Sequence, residues 1–445
     1  MRKIFGTDGI RGVANEYPMT IETCLKLAKA IAIKFCDPSK NNHMVIIGKD
    51  TRISCTIFEY ALTAAFCSFG IDVKLIGVIP TPAVSILTAE LKANAGVMIS
   101  ASHNQFSDNG IKIFNSAGLK LSDQEELELE RNMFDDSICY PTPIGNSIGR
   151  AQIDGNCVSF YCNKIKNSFT FKKIDAERIK IVVDCSNGAL SYIAPSILRK
   201  FGFQIVSLYD SPNGININAN CGTANPNALA TAVAEHQADI GIAFDGDGDR
   251  VLLVDKNGNI VDGDRILAIL ALSEDIKHTE IVSTIMSNLA FEKYLASRQI
   301  KLIRTNVGDR YISEYMQKNE AILGGEPSGH IIVKYHSLTG DGLFAGLKVI
   351  EYLINFQKQS CDLKNIFKSY LCINENVRVK NKSIINNPKV IEKIKQSQEQ
   401  LHNSGRLIVR LSGTEPIIRI YAEGDDIDEL KSIVDHLVET IKKVM

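Results

Sequence analysis

No Cys-x-x-Cys pair occurs in this chain of 445 residues, and its eleven cysteines stand at none of the Cys/His spacings that hold zinc. The nearest pair, Cys157 and Cys162, is too widely spaced for a zinc ribbon. Scattered and odd in number, these thiols argue against a disulfide scaffold and fit a reducing cytoplasm. Long apolar runs are missing too. The longest, Ile266–Leu272, has seven residues, far below the roughly 20 that a membrane-spanning helix needs. The opening, MRKIFGTDGIRG, lacks the apolar stretch of a secretory signal. Net charge is only −1, so no global basic field calls for nucleic acid or an anionic membrane surface.

What remains is a globular composition, 45% hydrophobic and 23% charged. Length alone implies about three domains. Short β-rich runs at Val45–Ile47, Gly96–Ile99, Ile179–Val183, Ile240–Phe244, Val251–Val254 and Arg406–Arg410 read as strands. Segments at Ile21–Phe35, Phe58–Ser68, Asn227–Glu235 and Arg265–Leu272 read as helices. Their alternation predicts α/β architecture with largely parallel sheets. At the end of the chain, Ile427, Leu430, Val434, Leu437, Val438 and Ile441 form one apolar face of a closing helix. Boundaries are expected in the Pro/Gly/Ser-rich stretch Pro141–Gly149, just after Asp255, and near Cys372–Lys380.

Three strands run into polar, glycine-bearing loops: Gly48-Lys-Asp-Thr-Arg52, Asp184-Cys-Ser-Asn-Gly188 and Asp245-Gly-Asp-Gly-Asp-Arg250. Such loops, at the ends of parallel strands, are where α/β sheets place ligands. In the third, Asp245, Asp247 and Asp249 repel one another strongly unless a cation sits among them. The intervening glycines let the backbone turn so that the carboxylates converge. Hard oxygen ligands of this kind suit Mg²⁺. The loop is not an EF-hand, because the sixth and twelfth positions that need Gly and Glu hold Arg250 and Lys256. A haloacid-dehalogenase-like phosphatase also opens with Asp-x-Asp after a strand. It would carry Thr or Val where Asp249 stands, and its loop usually lies near the N-terminus.

Ser100-Ala-Ser-His-Asn104 raises a second question. Ser102 lacks the glycines of a hydrolase nucleophile elbow, and adjacent His103 is an awkward base for it. It reads either as a helix cap or, beside a metal loop, as a phosphate acceptor. Lys112 is either a solvated strand lysine or a positioned cation and proton donor. Gly324-Gly-Glu-Pro-Ser-Gly-His330 is a polar turn or a binding loop whose carboxylate suits vicinal sugar hydroxyls. In Arg410-Leu-Ser-Gly-Thr-Glu-Pro-Ile-Ile-Arg419, hydroxyls and N–H groups of Ser412, Gly413 and Thr414 can cradle an anion between two arginines.

Five stretches in this order, Phe5–Gly12, Ser100–Asn104, Asp245–Arg250, Gly325–His330 and Ser412–Pro416, resemble the α-D-phosphohexomutase superfamily through essentially the whole chain. Val307-Gly-Asp-Arg-Tyr-Ile312 makes it most similar to the bacterial phosphoglucosamine branch. The resemblance implies three related α/β domains, 1–150, 151–255 and 256–372, and a smaller α+β phosphate-binding domain, 373–445, around a central cleft. It implies that Ser102 is the phosphoserine and that Asp245, Asp247 and Asp249, with Ser102, hold Mg²⁺. It makes Arg11, Lys112, Arg250 and His330 assistants of phosphoryl and proton transfer. Glu326 and Ser328 become sugar-hydroxyl contacts, and Arg410, Ser412, Gly413, Thr414 and Arg419 a phosphate clamp. The implied reaction interconverts glucosamine 6-phosphate and glucosamine 1-phosphate through a 1,6-bisphosphate that also primes the enzyme, feeding UDP-N-acetylglucosamine synthesis. A hexosamine phosphate is then the partner, with no nucleic acid or membrane, and with room for a homodimer. The alternative within the superfamily is a phosphomannomutase/phosphoglucomutase. The chain departs from the branch at Pro327, where Gln is usual.

Overall fold

The computed structural model describes residues 4–6, 8–40, 42–273, 279–401, 404–411 and 416–445. The chain divides into two units, Met1–Met286 with Ile300–Ile366, and Ser287–Gln299 with Phe367–Met445.

The first unit holds three sheets. In the first, strands run in the order Ile10–Val13, Asp108–Asn115, Ala95–Ile99, Met44–Lys49, Asp72–Val78, Ala151–Ile153. Ala95–Ile99 is buried along its full length, as expected for an apolar strand with both faces covered. Helix Ile21–Phe35 packs there because Cys24, Leu27, Ala28 and Ile31 repeat at helical spacing and are buried; the Thr20 hydroxyl accepts from the Thr23 N–H to start it. The last strand, Ala151–Ile153, lies beyond residue 150 yet pairs with Asp72–Val78.

The second sheet is ordered Ile260–Val261, Val251–Asp255, Ile240–Phe244, Lys180–Asp184, Gln204–Leu208, and the third Lys301–Thr305, Glu280–Thr284, Leu323–Gly325, Ile331–Val333. These sheets are mixed rather than largely parallel, and three of the antiparallel pairings follow one plan. Ala95–Ile99 pairs antiparallel with Asp108–Asn115, Ile240–Phe244 with Val251–Asp255, and Leu323–Gly325 with Ile331–Val333. Each connection is too short for the helical crossover that a parallel return requires, so the chain doubles straight back. The three doubling-back loops carry Ser102, the aspartate triplet, and Glu326 with His330.

The second unit is a three-stranded antiparallel sheet ordered Leu371–Arg378, Ile417–Gly424, Gly405–Leu411, with helices Pro388–Gln400 and Ile427–Lys443. Leu430, Val434, Leu437 and Ile441 are buried in its core, and Ile427 and Val438 pack partly buried against it. Each fully buried Leu there stabilises by about 1.5–3 kcal/mol. Helix Leu289–Ala296, inside the stretch expected to form the third α/β domain, packs with this unit. The Asn288 amide donates to the Tyr370 carbonyl at 3.2 Å, and Arg406 Nη2 to the Ser287 carbonyl at 2.8 Å.

Candidate active site

Asp245, Asp247 and Asp249 are all buried, and one oxygen from each lies within 4.8 Å of the others. Gly248 makes the turn at φ +69°, a left-handed conformation that glycine adopts without strain. Burial first, then Asp249 and Asp247, push the Asp245 carboxyl well above the usual carboxylate range. Asp247 Oδ1 is buried without a hydrogen-bond partner among the described residues. Three converging carboxylates that oppose one another's charge, with an oxygen left bare, fit a hard divalent cation.

Ser102 stands against this cradle. Its hydroxyl donates to Asp245 Oδ2 at 2.6 Å and is buried. No helix follows it, so the cap reading is overturned; the loop has to reverse direction into Asp108–Asn115 rather than wind on. The residue lies at φ +54°, a strained region for a side chain with a Cβ. His103 Nδ1 is 3.4 Å from Ser102 Oγ. Burial, then Arg250 and Arg11, lower the His103 pKa to about 4, so the ring is neutral near pH 7. A Cβ at Gly246 would come within 2.6 Å of the Ser102 carbonyl and 2.8 Å of the Asn218 amide. Gly246→Ala is therefore expected to displace the serine loop by a few tenths of an ångström and lower kcat by about 10- to 100-fold. A kcat within twofold of wild type, in a protein with an unchanged melting curve, would contradict this packing.

Lys112 is not a solvated strand lysine. It is buried, because its strand lies in the sheet interior beside the aspartate loop, and Nζ lies 2.8 Å from Asp247 Oδ2, 3.0 Å from Asp249 Oδ2 and 3.1 Å from Asp8 Oδ2. Burial alone would lower its pKa, but these carboxylates hold it well above the ordinary lysine value. His330 Nδ1 lies 3.6 Å from Asp249, and Nε2 lies 3.2 Å from Asp309. Burial favours its neutral ring, yet Asp309 and Asp249 outweigh that and push it up to about 10. One contact opposes the charge: the Gly340 N–H donates to Nε2 at 2.9 Å, which favours placing the proton on Nδ1.

Arg11 pairs with Asp8 and reaches the Ala101 carbonyl at 3.5 Å. The Arg250 N–H donates to Asp245 Oδ1 at 3.1 Å, and its guanidinium lies 3.2 Å from His103 Nδ1. Glu326 accepts from the Gly308 N–H at 3.2 Å, and burial raises its pKa. Ser328 is exposed in the same turn. The first unit thus brings together Ser102, the three aspartates, Arg11, Lys112, Arg250 and His330. In the second unit, Arg410 and Arg419 face each other across paired strands. Burial, then Arg419, lowers the pKa of Arg410, as two cations side by side require. Ser412, Gly413 and Thr414 lie outside the described residues.

Three participants escaped the sequence reading. Asp8 and Asp309 both accept from Lys120 Nζ at 2.6 Å, tying the N-terminal motif to the residue beside His330. Asp8 and Asp309 lie inside motifs quoted for the resemblance, which was the available signal. Lys120 follows an unremarkable turn and offered none.

Comparison with known proteins bears on this arrangement. Models of phosphoglucomutase/phosphomannomutase α/β/α domains I, II and III match residues 2–137, 159–258 and 262–370, and that of the C-terminal domain matches 375–440. The chain is 44% identical to a phosphoglucosamine mutase from Zymomonas mobilis, covering 99% of both.

The chain belongs to the phosphoglucomutase/phosphomannomutase family.

As a phosphohexomutase it is an intramolecular phosphotransferase, an isomerase. Its fold matches that of a phosphoglucomutase/phosphomannomutase family protein from Burkholderia thailandensis, with a TM-score of 0.83 at 21% identity over 100% of this chain and 98% of the other. It also matches an N-acetylphosphoglucosamine mutase from Aspergillus fumigatus solved with GlcNAc-6P and magnesium, with a TM-score of 0.69 at 17% identity over 100% and 96%. Among this phosphohexomutase's described residues, no helix is long and apolar enough to cross a membrane.

Proposed function

We propose that this phosphohexomutase interconverts glucosamine 6-phosphate and glucosamine 1-phosphate, with Ser102 as the phosphoryl carrier. The observation that carries the reading is the buried Ser102 hydroxyl, 2.6 Å from a cradle of three converging carboxylates. The choice of amino sugar rests on the full-length likeness to an enzyme named phosphoglucosamine mutase.

With Ser102 phosphorylated, O1 of glucosamine 6-phosphate attacks phosphorus. The O1–P bond forms, the Oγ–P bond breaks, and the proton lost from O1 is balanced by one returned to Oγ. The resulting 1,6-bisphosphate turns over, and its 6-phosphoryl group returns to Ser102 by the same exchange. Asp245, Asp247, Asp249 and the Ser102 oxygen would hold Mg²⁺, which when bound neutralises phosphoryl charge and makes phosphorus more electrophilic. Lys112, Arg11 and Arg250 supply fixed positive charge to the transferring group. His330 holds a proton beside the cradle. Glu326 and Ser328 orient sugar hydroxyls, and the second unit's Arg410 and Arg419, with Ser412, Gly413 and Thr414, bind phosphate.

Pro327, between the two sugar contacts, favours one second reading, a preference for a glucose or mannose phosphate. Competition of the three sugar phosphates separates the readings by kcat/KM. The test of the core reading is transfer of ³²P from labelled glucosamine 1,6-bisphosphate to the protein. Label is expected on the Ser102 peptide. EDTA is expected to stop turnover and Mg²⁺ to restore it. A labelled peptide elsewhere, or turnover indifferent to chelation, overturns the assignment.

A further inference from the structure

The loop Gly48-Lys-Asp-Thr-Arg52 does not enter the reaction above, yet it ends against the Ser102 backbone. Arg52 is buried, and each of its five side-chain N–H groups has an acceptor. Nε donates to Asp50 Oδ2 at 2.9 Å. Nη2 donates to the carbonyls of Ser102 at 3.0 Å and Asn104 at 2.8 Å. Nη1 donates to the carbonyls of Gln105 and, at 3.1 Å, Asp108. One guanidinium therefore holds the serine loop from its centre to its return strand. From the other side, Asn218 Nδ2 donates to the same two carbonyls, Ser102 and Asn104, at 2.8 Å each. Asn218 is itself fixed, its N–H donating to the Ser186 carbonyl at 2.9 Å. Ser186 lies in the other orphaned loop, Asp184–Gly188, whose Gly188 packs so closely on Gly246 of the metal loop that a Cβ would meet its carbonyl at 2.3 Å.

We propose that Arg52 and Asn218 are positioning residues that clamp the Ser102 carbonyl from two sides, fixing the nucleophile's backbone relative to the metal loop. The proposal rests on Ser102 being the phosphoryl carrier. Its physical case is that Ser102 occupies a left-handed conformation, φ +54°, which a serine does not hold unaided. The Ser102 oxygen must sit in one place to give phosphate to, and accept it from, either end of the sugar. Donors on the carbonyl side hold it there without touching substrate, so their loss falls on kcat rather than KM.

The experiment compares wild type with Asn218→Gly, Asn218→Asp and Arg52→Lys. Asn218 lies at φ +57°, which glycine adopts freely, so Asn218→Gly removes the amide without straining the backbone. Asn218→Asp places a carboxylate against two carbonyls, and Arg52→Lys keeps the charge but not the fork. Rapid-quench transfer of ³²P from glucosamine 1,6-bisphosphate to Ser102 is measured, with kcat, KM and thermal melting. Asn218→Gly is expected to slow transfer about 10- to 100-fold with KM within about threefold, and Asn218→Asp to slow it further. An Asn218 variant that transfers label within twofold of wild type overturns the clamp, as does a rise in KM at unchanged kcat. If Arg52→Lys does not fold, the Asn218 variants decide alone. If wild type places no label on Ser102, the carrier reading fails and the clamp with it; label on wild type with unslowed variants removes only the clamp.

Discussion

Ser102→Ala is expected to lose at least about 10⁴-fold in kcat for conversion of glucosamine 6-phosphate, while the dissociation constant for that sugar stays within about threefold. The split follows from the geometry. Ser102 is buried and its hydroxyl donates to Asp245 Oδ2 at 2.6 Å, so it contributes to chemistry rather than to a surface that grips the sugar. Alanine keeps the Cβ and so keeps the strain of the φ +54° conformation unchanged. It leaves Asp245 Oδ2 without its donor, but Asp245 Oδ1 still accepts from the Arg250 N–H at 3.1 Å, so the aspartate loop retains an anchor. Steady-state kinetics and calorimetric titration of the sugar check both halves. Residual turnover above about one per cent, measured on protein shown by mass to carry the substitution, would mean that another group carries the phosphoryl unit, because no route through Ser102 survives.

Lys112→Met is expected to destabilise the metal-free protein by about 3–5 kcal/mol, and added Mg²⁺ to recover more stability in the variant than in wild type. Lys112 meets three carboxylates at once, buried Asp247 and Asp249 at 2.8 and 3.0 Å and half-buried Asp8 at 3.1 Å. Methionine fills a similar volume without the charge. Asp247 and Asp249 then lose the ammonium they share, Asp249 keeping His330 at 3.6 Å, and Asp8 keeps Lys120 and Arg11. A divalent cation among Asp245, Asp247 and Asp249 offsets their repulsion, so its stabilising effect grows when the ammonium is gone. Denaturant titrations with EDTA and with millimolar Mg²⁺ give the four stabilities required. An equal Mg²⁺ effect in both proteins would show that lysine and metal do not share the same carboxylates. Activity should also fall, by about 10²- to 10⁴-fold, since a fixed charge beside the transferring phosphoryl group is lost.

The strands and helices were legible because their patterns are local. Ile240–Phe244 is an uninterrupted apolar strand, and Ile21–Phe35 repeats buried positions at helical spacing. The aspartate triplet was legible because like charges at alternate positions need a counter-charge wherever the chain runs. Sheet direction was not legible from alternation alone. It was set by connections too short to cross over, at residues 100–107, 245–250 and 326–330. Lys112 could not be told from a solvated lysine, since its neighbours in sequence say nothing of Asp247 and Asp249 more than a hundred residues away.

By itself the sequence determined the element types, the aspartate-rich loop after its strand, and, through five motifs in order, the family. Those depend on neighbours along the chain and on chemistry that each short stretch carries with it. Tertiary structure alone decided that Ser102 faces Asp245, that Lys112 and His330 are buried between carboxylates, and that Arg52 and Asn218 share two carbonyls. The reason is the range of the forces. Periodicity and turn chemistry act over a few residues, whereas a buried charge or N–H is satisfied by whichever partner the folded sheets bring within about 3 Å.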